Sequence, residues 1–84
     1  MISVIIPTYN EEKALPVTLQ HVLRLPGDYE VLVVDGGSRD KTVLVASGEP
    51  RVRVLTAPKG RAVQMNAGVK QARGEWLLFL HADT

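Results

Sequence analysis

The sequence predicts an α/β fold: an open, mainly parallel sheet with helices on both faces and strand order 3-2-1-4. Three observations predict it. Four apolar runs of strand length recur along the 84 residues, namely ISVII (2–6), EVLVVD (30–35), RVRVLT (51–56) and EWLLFL (75–80). Segments of helical composition separate them, and strands alternating with helices imply a parallel sheet covered by helices. The third observation is patterning: runs one, two and four are apolar on both faces, as buried parallel strands are, whereas RVRV alternates charge with valine as an edge strand does. With right-handed crossovers, run three then lies outside run two, and run four takes the far side of run one.

The first helix is placed by Pro16, which breaks a helix starting at Glu11 but suits a first turn. Leu15, Leu19, Val22 and Leu23 form its buried stripe, and Glu11 and Glu12 fall in a loop. A short second helix spans about 40–47, capped by Ser38 or Asp40 and closed by Gly48 and Pro50. The third runs from Gly60 or Arg61 to Arg73, ends at Gly74, and presents Ala62, Met65, Val69 and Ala72 on one face. Gly68 inside that helix costs about 1 kcal/mol against alanine, which implies close contact with the sheet. His21 is expected on the outer face of the first helix, and Trp76 in the core.

Composition narrows the function. The chain is 45% hydrophobic and 23% charged with a net charge of +1, so a core is expected and no basic patch favours nucleic acid. It has no cysteine, which excludes disulfides and thiolate metal sites. The apolar start MISVIIP is too short and lacks the basic leader of a secretory signal, and no run approaches the roughly 20 residues of a membrane span; a cytoplasmic setting is expected.

The chain reverses across the sheet between runs one and four, and ligands of open α/β sheets bind at such a switch point, outside the strands' carboxyl ends. Four loops converge there: PTYNEE, DGGSRD, APKGR and HADT. They supply an aromatic ring (Tyr9), carboxylates (Glu11, Asp35, Asp83), cations (Lys59, Arg61) and the start of the third helix. A nucleoside diphosphate needs that mixture: stacking for its base, acceptors for its N–H and hydroxyl groups, and positive charge with free backbone N–H groups for its phosphates.

SVIIPTYNEE, VLVVDGGSRDKT and NAGVKQARGEWLLFLHAD, in that order and spacing, resemble the donor-binding half of family 2 glycosyltransferases of the GT-A fold, a Rossmann-like architecture, over residues 2–84. The resemblance implies a domain, 1–84, that binds a nucleotide-diphosphate sugar, a UDP-sugar first, for inverting sugar transfer. Pro7, Thr8 and Tyr9 would line the base pocket with Glu11 near the nucleoside, Asp35 would accept a hydrogen bond from the base, and Lys59 and Arg61 would meet the pyrophosphate or base edge. Gly36 and Gly37 stand where the family often has a second Asp and a Gly, which removes an acceptor. Asn66 and Gly68 match the helix pattern and are read as structural.

His81-Ala82-Asp83 occupies the family's Asp-x-Asp position, so the resemblance implies Asp83 as the ligand of a divalent cation, Mg²⁺ or Mn²⁺, bridging the diphosphate oxygens. His81 replaces the first carboxylate; imidazole suits Mn²⁺ and not Mg²⁺. The general base that inverting transfer requires has no candidate among the nine carboxylates, all of which lie in the donor half, so the acceptor half is expected to be absent from these residues. A bare fourth strand at the sheet edge is expected to drive self-association. The competing reading is a non-catalytic nucleotide-binding or protein-interaction module. A nicotinamide dehydrogenase domain needs a G-x-G-x-x-G turn after the first strand, and a sugar nucleotidyltransferase a glycine-rich loop there; PTYNEE provides neither.

Overall fold

The structure, a computed structural model, describes residues 1–83. Its elements follow the order β1 (Ile2–Thr8), α1 (Ala14–Val22), β2 (Tyr29–Asp35), α2 (Thr42–Ser47), β3 (Val52–Thr56), α3 (Arg61–Gln71) and β4 (Trp76–Phe79). The four strands form one parallel sheet in the order β3-β2-β1-β4, as the strand patterning requires. Registers Ile2 with Tyr29 and Ile2 with Trp76 align β1 with both neighbours.

One face of the sheet carries the main core. Val4 and Ile6 of β1, Val31 and Val33 of β2 and Val52 of β3 pack with Leu15, Leu19 and Val22 of α1 and Ala46 of α2. Alternation along the strands turns Ile5, Leu32 and Val34 to the opposite face, where they are fully buried. There α3 covers the sheet. A Cβ on Gly68 would stand 2.6 Å from Ile5 Cγ2 and 3.2 Å from Val34 Cγ2, so the helix backbone lies where only glycine fits.

The expected buried face of α3 is corrected by this packing. Gln64 and Gly68 face the sheet, while Val63 and Val69 are exposed and Met65 is half-buried. Apolarity misplaces the helix because its contact row is selected for small size and hydrogen bonding. Helix α2 begins at Thr42, two residues later than expected, with the Asp40 carboxylate accepting from the Thr42 N–H at 2.9 Å.

At the amino ends of the strands, the Glu30 carboxylate ties four segments together. It accepts from the Ser3 hydroxyl at 2.6 Å, the Arg73 N–H at 2.6 Å and the Arg53 guanidinium at 3.1 Å, and Ser3 Oγ in turn receives the Gly74 N–H at 2.9 Å. Burial pushes the Glu30 carboxyl up, but these donors outweigh it and hold it below its ordinary value of 4.5.

Strand β4 differs from β1 and β2. Trp76 is 71% exposed, and Leu77, Leu78 and Phe79 are each more than 40% exposed. Trp76 is thus on the surface and not in the core as its apolar run suggested, because no element among the described residues covers either face of β4.

Two expected outcomes follow. Gly68→Ala lowers stability by about 1–3 kcal/mol in urea unfolding, despite alanine's better helix propensity, because the methyl overpacks Ile5. A folded-state carboxyl lowered at Glu30 contributes stability above its unfolded value that is lost as pH falls below about 4.5. Glu30→Gln removes that share, so unfolding midpoints of parent and variant, measured from pH 6 down to pH 3, converge at the acid end.

Candidate active site

The site lies at the carboxyl ends of the strands, and its first support is the loop after β1. Asn10 adopts φ 53°, a left-handed conformation that asparagine tolerates, and turns the chain out of the strand. Its N–H donates to Ser38 Oγ and its side-chain carbonyl accepts from the Arg39 N–H, both at 2.8 Å. The Glu11 N–H reaches Thr42 Oγ1 at 2.7 Å, and the Glu12 N–H reaches the Asp40 carboxylate at 3.2 Å. The loops after β1 and β2 are thereby held as one rim.

Asp35 anchors that rim from below. It is 1% exposed, and its two oxygens accept from Thr8 Oγ1 at 2.8 Å, Ser38 Oγ at 2.5 Å, the Gly37 N–H at 3.0 Å and the Ser38 N–H at 2.7 Å. Four internal donors saturate the carboxylate. Asp35 thus has a turn-forming role of the kind assigned from sequence to Ser38 and Asp40, and Asp40 serves the next turn along.

The structure brings Pro7, Thr8, Tyr9, Glu11, Lys59 and Arg61 together, with Gly60 and Gln64, around a crevice of about 210 Å³. Gly36 is buried behind it. Lys59 Nζ sits 4.0 Å from the centroid of the Tyr9 ring, a cation–π contact across the mouth. Gly60 takes φ 150°, which a side chain would strain, and α3 starts at the next residue, so its first turn adjoins the crevice that Gly60 and Arg61 line. A smaller cavity of about 140 Å³ adjoins through Pro7 and Arg61 and is lined by Met65, Phe79, Leu80 and His81.

The segment after β4 is fixed by its backbone. The Leu80 N–H donates to the Ile5 carbonyl at 3.0 Å, and the buried Ala82 offers its carbonyl to the Thr18 hydroxyl. Asp83 is exposed beyond it. His81 Nε2 lies 3.5 Å from Arg61 Nη1, and a ring nitrogen held against a guanidinium is a poor place for a second cation. Among the described residues no cluster of three or more His, Asp or Glu forms a closed metal cage. One exposed carboxylate does fit a Mg²⁺ or Mn²⁺ ion that takes its remaining oxygens from phosphate and water.

Gln64 was not singled out from the sequence. It is 4% exposed; its Nε2 donates to the Thr8 carbonyl at 2.8 Å and the Val34 carbonyl at 2.9 Å, and its Oε1 accepts from the Gly60 N–H at 3.0 Å. The available signal was spacing: Gly60, Gln64 and Gly68 fall four residues apart on one helical row.

Residues 3–84 match the model of the family described as glycosyl transferase family 2. The chain belongs to that family. A PGL/p-HBAD biosynthesis glycosyltransferase of Mycobacterium bovis (strain BCG / Pasteur 1173P2) is 42% identical over 90 residues, covering 99% of this chain and 35% of the relative. TarS of S. aureus, solved in complex with UDP, superposes with a TM-score of 0.82 at 33% identity over 98% of this chain and 27% of that one. The mannosyltransferase PcManGT of Pyrobaculum calidifontis, solved with GDP-Man and Mn²⁺, gives a TM-score of 0.81 at 30% identity over 98% and 27%. The family 2 chain thus has a GT-A fold and spans about a third of the length of the curated relative it matches. No helix among its described residues is long and apolar enough to cross a membrane.

Asp35→Ala leaves the Thr8 hydroxyl and the Gly37 and Ser38 N–H groups without their acceptor. The expected loss is about 2–4 kcal/mol of unfolding free energy, read by chemical denaturation.

Proposed function

We propose that this protein binds a nucleotide-diphosphate sugar, a UDP-sugar first, in the crevice lined by Tyr9, Glu11, Lys59 and Arg61, and that with a divalent cation at Asp83 it serves inverting sugar transfer. The observation that carries the reading is Arg61. It lines both the Tyr9 crevice and the cavity beside His81, so one guanidinium spans the path from a base on Tyr9 to a diphosphate near Asp83. Tyr9 supplies the stacking surface, Glu11 the acceptor for ribose hydroxyls, and Lys59 and Arg61 the charge for the phosphates. Bound there, the cation would neutralise charge developing on the leaving diphosphate. The UDP held by TarS and the GDP-Man and Mn²⁺ held by PcManGT support a donor site of this kind here.

The general base and the acceptor site are not assigned to any of these residues. The proposed setting is the cytoplasm. The exposed side chains of β4 support self-association of the 84-residue chain when studied alone, which sedimentation velocity reads as a concentration-dependent coefficient.

The test is calorimetric titration with UDP in the presence and absence of Mn²⁺. Tight, Mn²⁺-dependent binding is expected. Asp83→Ala abolishes the Mn²⁺ dependence while keeping residual metal-free binding, and Tyr9→Ala weakens binding about tenfold with or without metal. Absence of binding by the parent to any nucleoside diphosphate overturns the donor reading. Binding without sugar transfer by the intact protein supports a non-catalytic nucleotide-binding module instead.

A further inference from the structure

The base pocket of this chain lacks a free carboxylate on its sheet side. Asp35 is saturated by four internal donors, and position 36 is glycine. The space a side chain at 36 would enter is nevertheless filled: a Cβ on Gly36 would stand 2.7 Å from Gln64 Oε1 and 2.9 Å from Gln64 Cδ. The carboxamide of Gln64, arriving from α3, takes the place that an acidic side chain at 36 would take from β2. With the Gln64 carboxamide held by its hydrogen bonds, a side chain at 36 and that carboxamide compete for one space, and one of them must shift.

The orientation of that carboxamide is fixed. Both hydrogens of Nε2 are used, one on the Thr8 carbonyl and one on the Val34 carbonyl, and a flipped amide would set its oxygen against both carbonyls. Oε1 accepts a single hydrogen bond, from the Gly60 N–H, and a carbonyl oxygen has capacity for two. Gln64 lines the same crevice as Tyr9, Glu11 and Lys59. The crevice wall therefore offers one oriented, uncharged acceptor that has the capacity for a second hydrogen bond.

From this geometry we propose that Gln64 is the specificity-determining residue of the nucleotide site, its Oε1 accepting the ring N–H of the base from the place that a side chain at 36 would take. The inference rests on the donor-site reading above. An acceptor at that position favours a base whose ring nitrogen carries hydrogen, as in uracil or guanine. It repels the unprotonated ring nitrogen of cytosine or adenine.

UDP and CDP form a pair of equal size that isolates this effect, with GDP and ADP as the purine pair. In titrations of the intact protein with Mn²⁺, the parent is expected to bind the N–H-bearing member of its pair about tenfold tighter than the other, the discrimination of one hydrogen bond. Gln64→Ala brings the ratio close to one. Gly36→Asp alone, forced against Gln64, loses binding of both members. Gly36→Asp combined with Gln64→Ala gives the carboxylate the vacated space and restores a tenfold preference. Gln64→Met, which keeps the length of the side chain, replaces Gln64→Ala if that variant shows no cooperative unfolding.

A merely structural Gln64 would weaken both members of a pair equally, so an unchanged ratio in Gln64→Ala or Gln64→Met overturns the proposal, as does a parent without preference. Failure of the double variant to regain preference overturns the exchange between positions 36 and 64. A parent that binds no nucleoside diphosphate overturns the donor-site reading itself, and this inference falls with it.

Discussion

A carboxylate with no access to water must be met by donors, and Asp35 meets that requirement in a way that organises everything above the sheet. Its partners come from the end of β1 and from the turn after β2. Burying an unpaired carboxylate costs several kcal/mol, so the loops are not free to drift while Asp35 stays buried. Ser38, held by Asp35, then accepts from Asn10, and the rim hardens outward from one buried charge. The surfaces with which Pro7, Thr8 and Tyr9 line the crevice inherit their placement from that group.

The opposite wall of the crevice obeys a different constraint. Helix α3 approaches β1 and β2 so closely that Gly68 meets Ile5, and the same row one turn earlier carries Gln64. Close approach brings the Gln64 carboxamide within reach of two strand carbonyls and of the Gly60 N–H. Without the glycine at 68, the helix would stand off and the amide would lose its partners. Packing on the sheet and polarity in the pocket are thus two ends of one helical row.

The sheet was legible because its causes are local and periodic. The charge–valine alternation of RVRV marks one edge, and crossover handedness then leaves one order for four strands, with the doubly apolar β1 and β2 inside and the equally apolar β4 at the other edge. The face of α3 was not legible from hydrophobicity, since Ala62, Met65, Val69 and Ala72 look like a stripe while the contact is made by Gln64 and Gly68. Glycine and glutamine at helical spacing carry little hydrophobic signal, and their meaning appears only when the distance to Ile5 is known. At the site, the grouping of Tyr9, Glu11, Lys59 and Arg61 followed from topology. That Asp35 as well as Asp40 spends its carboxylate on a turn did not, because the burial of Asp35 depends on Thr8, 27 residues away.

The pairing of β4 with β1 has a kinetic meaning. Registers Ile2 with Tyr29 and Ile2 with Trp76 separate the partners by 27 and 74 residues, so closing the second loop costs about 1 kcal/mol more chain entropy than the first. Strand β4 contributes four residues and little burial to repay it. The β1–β2 half, with Asp35 sealed inside, can form early, while the strand that delivers His81 and Asp83 docks late and leaves first. Native-state hydrogen exchange would show this as a graded series, with the amides of β4 opening at a small fraction of the free energy that protects β1 and β2. The side of the crevice that carries His81 and Asp83 is then the part of the molecule whose assembly is most easily coupled to whatever binds there.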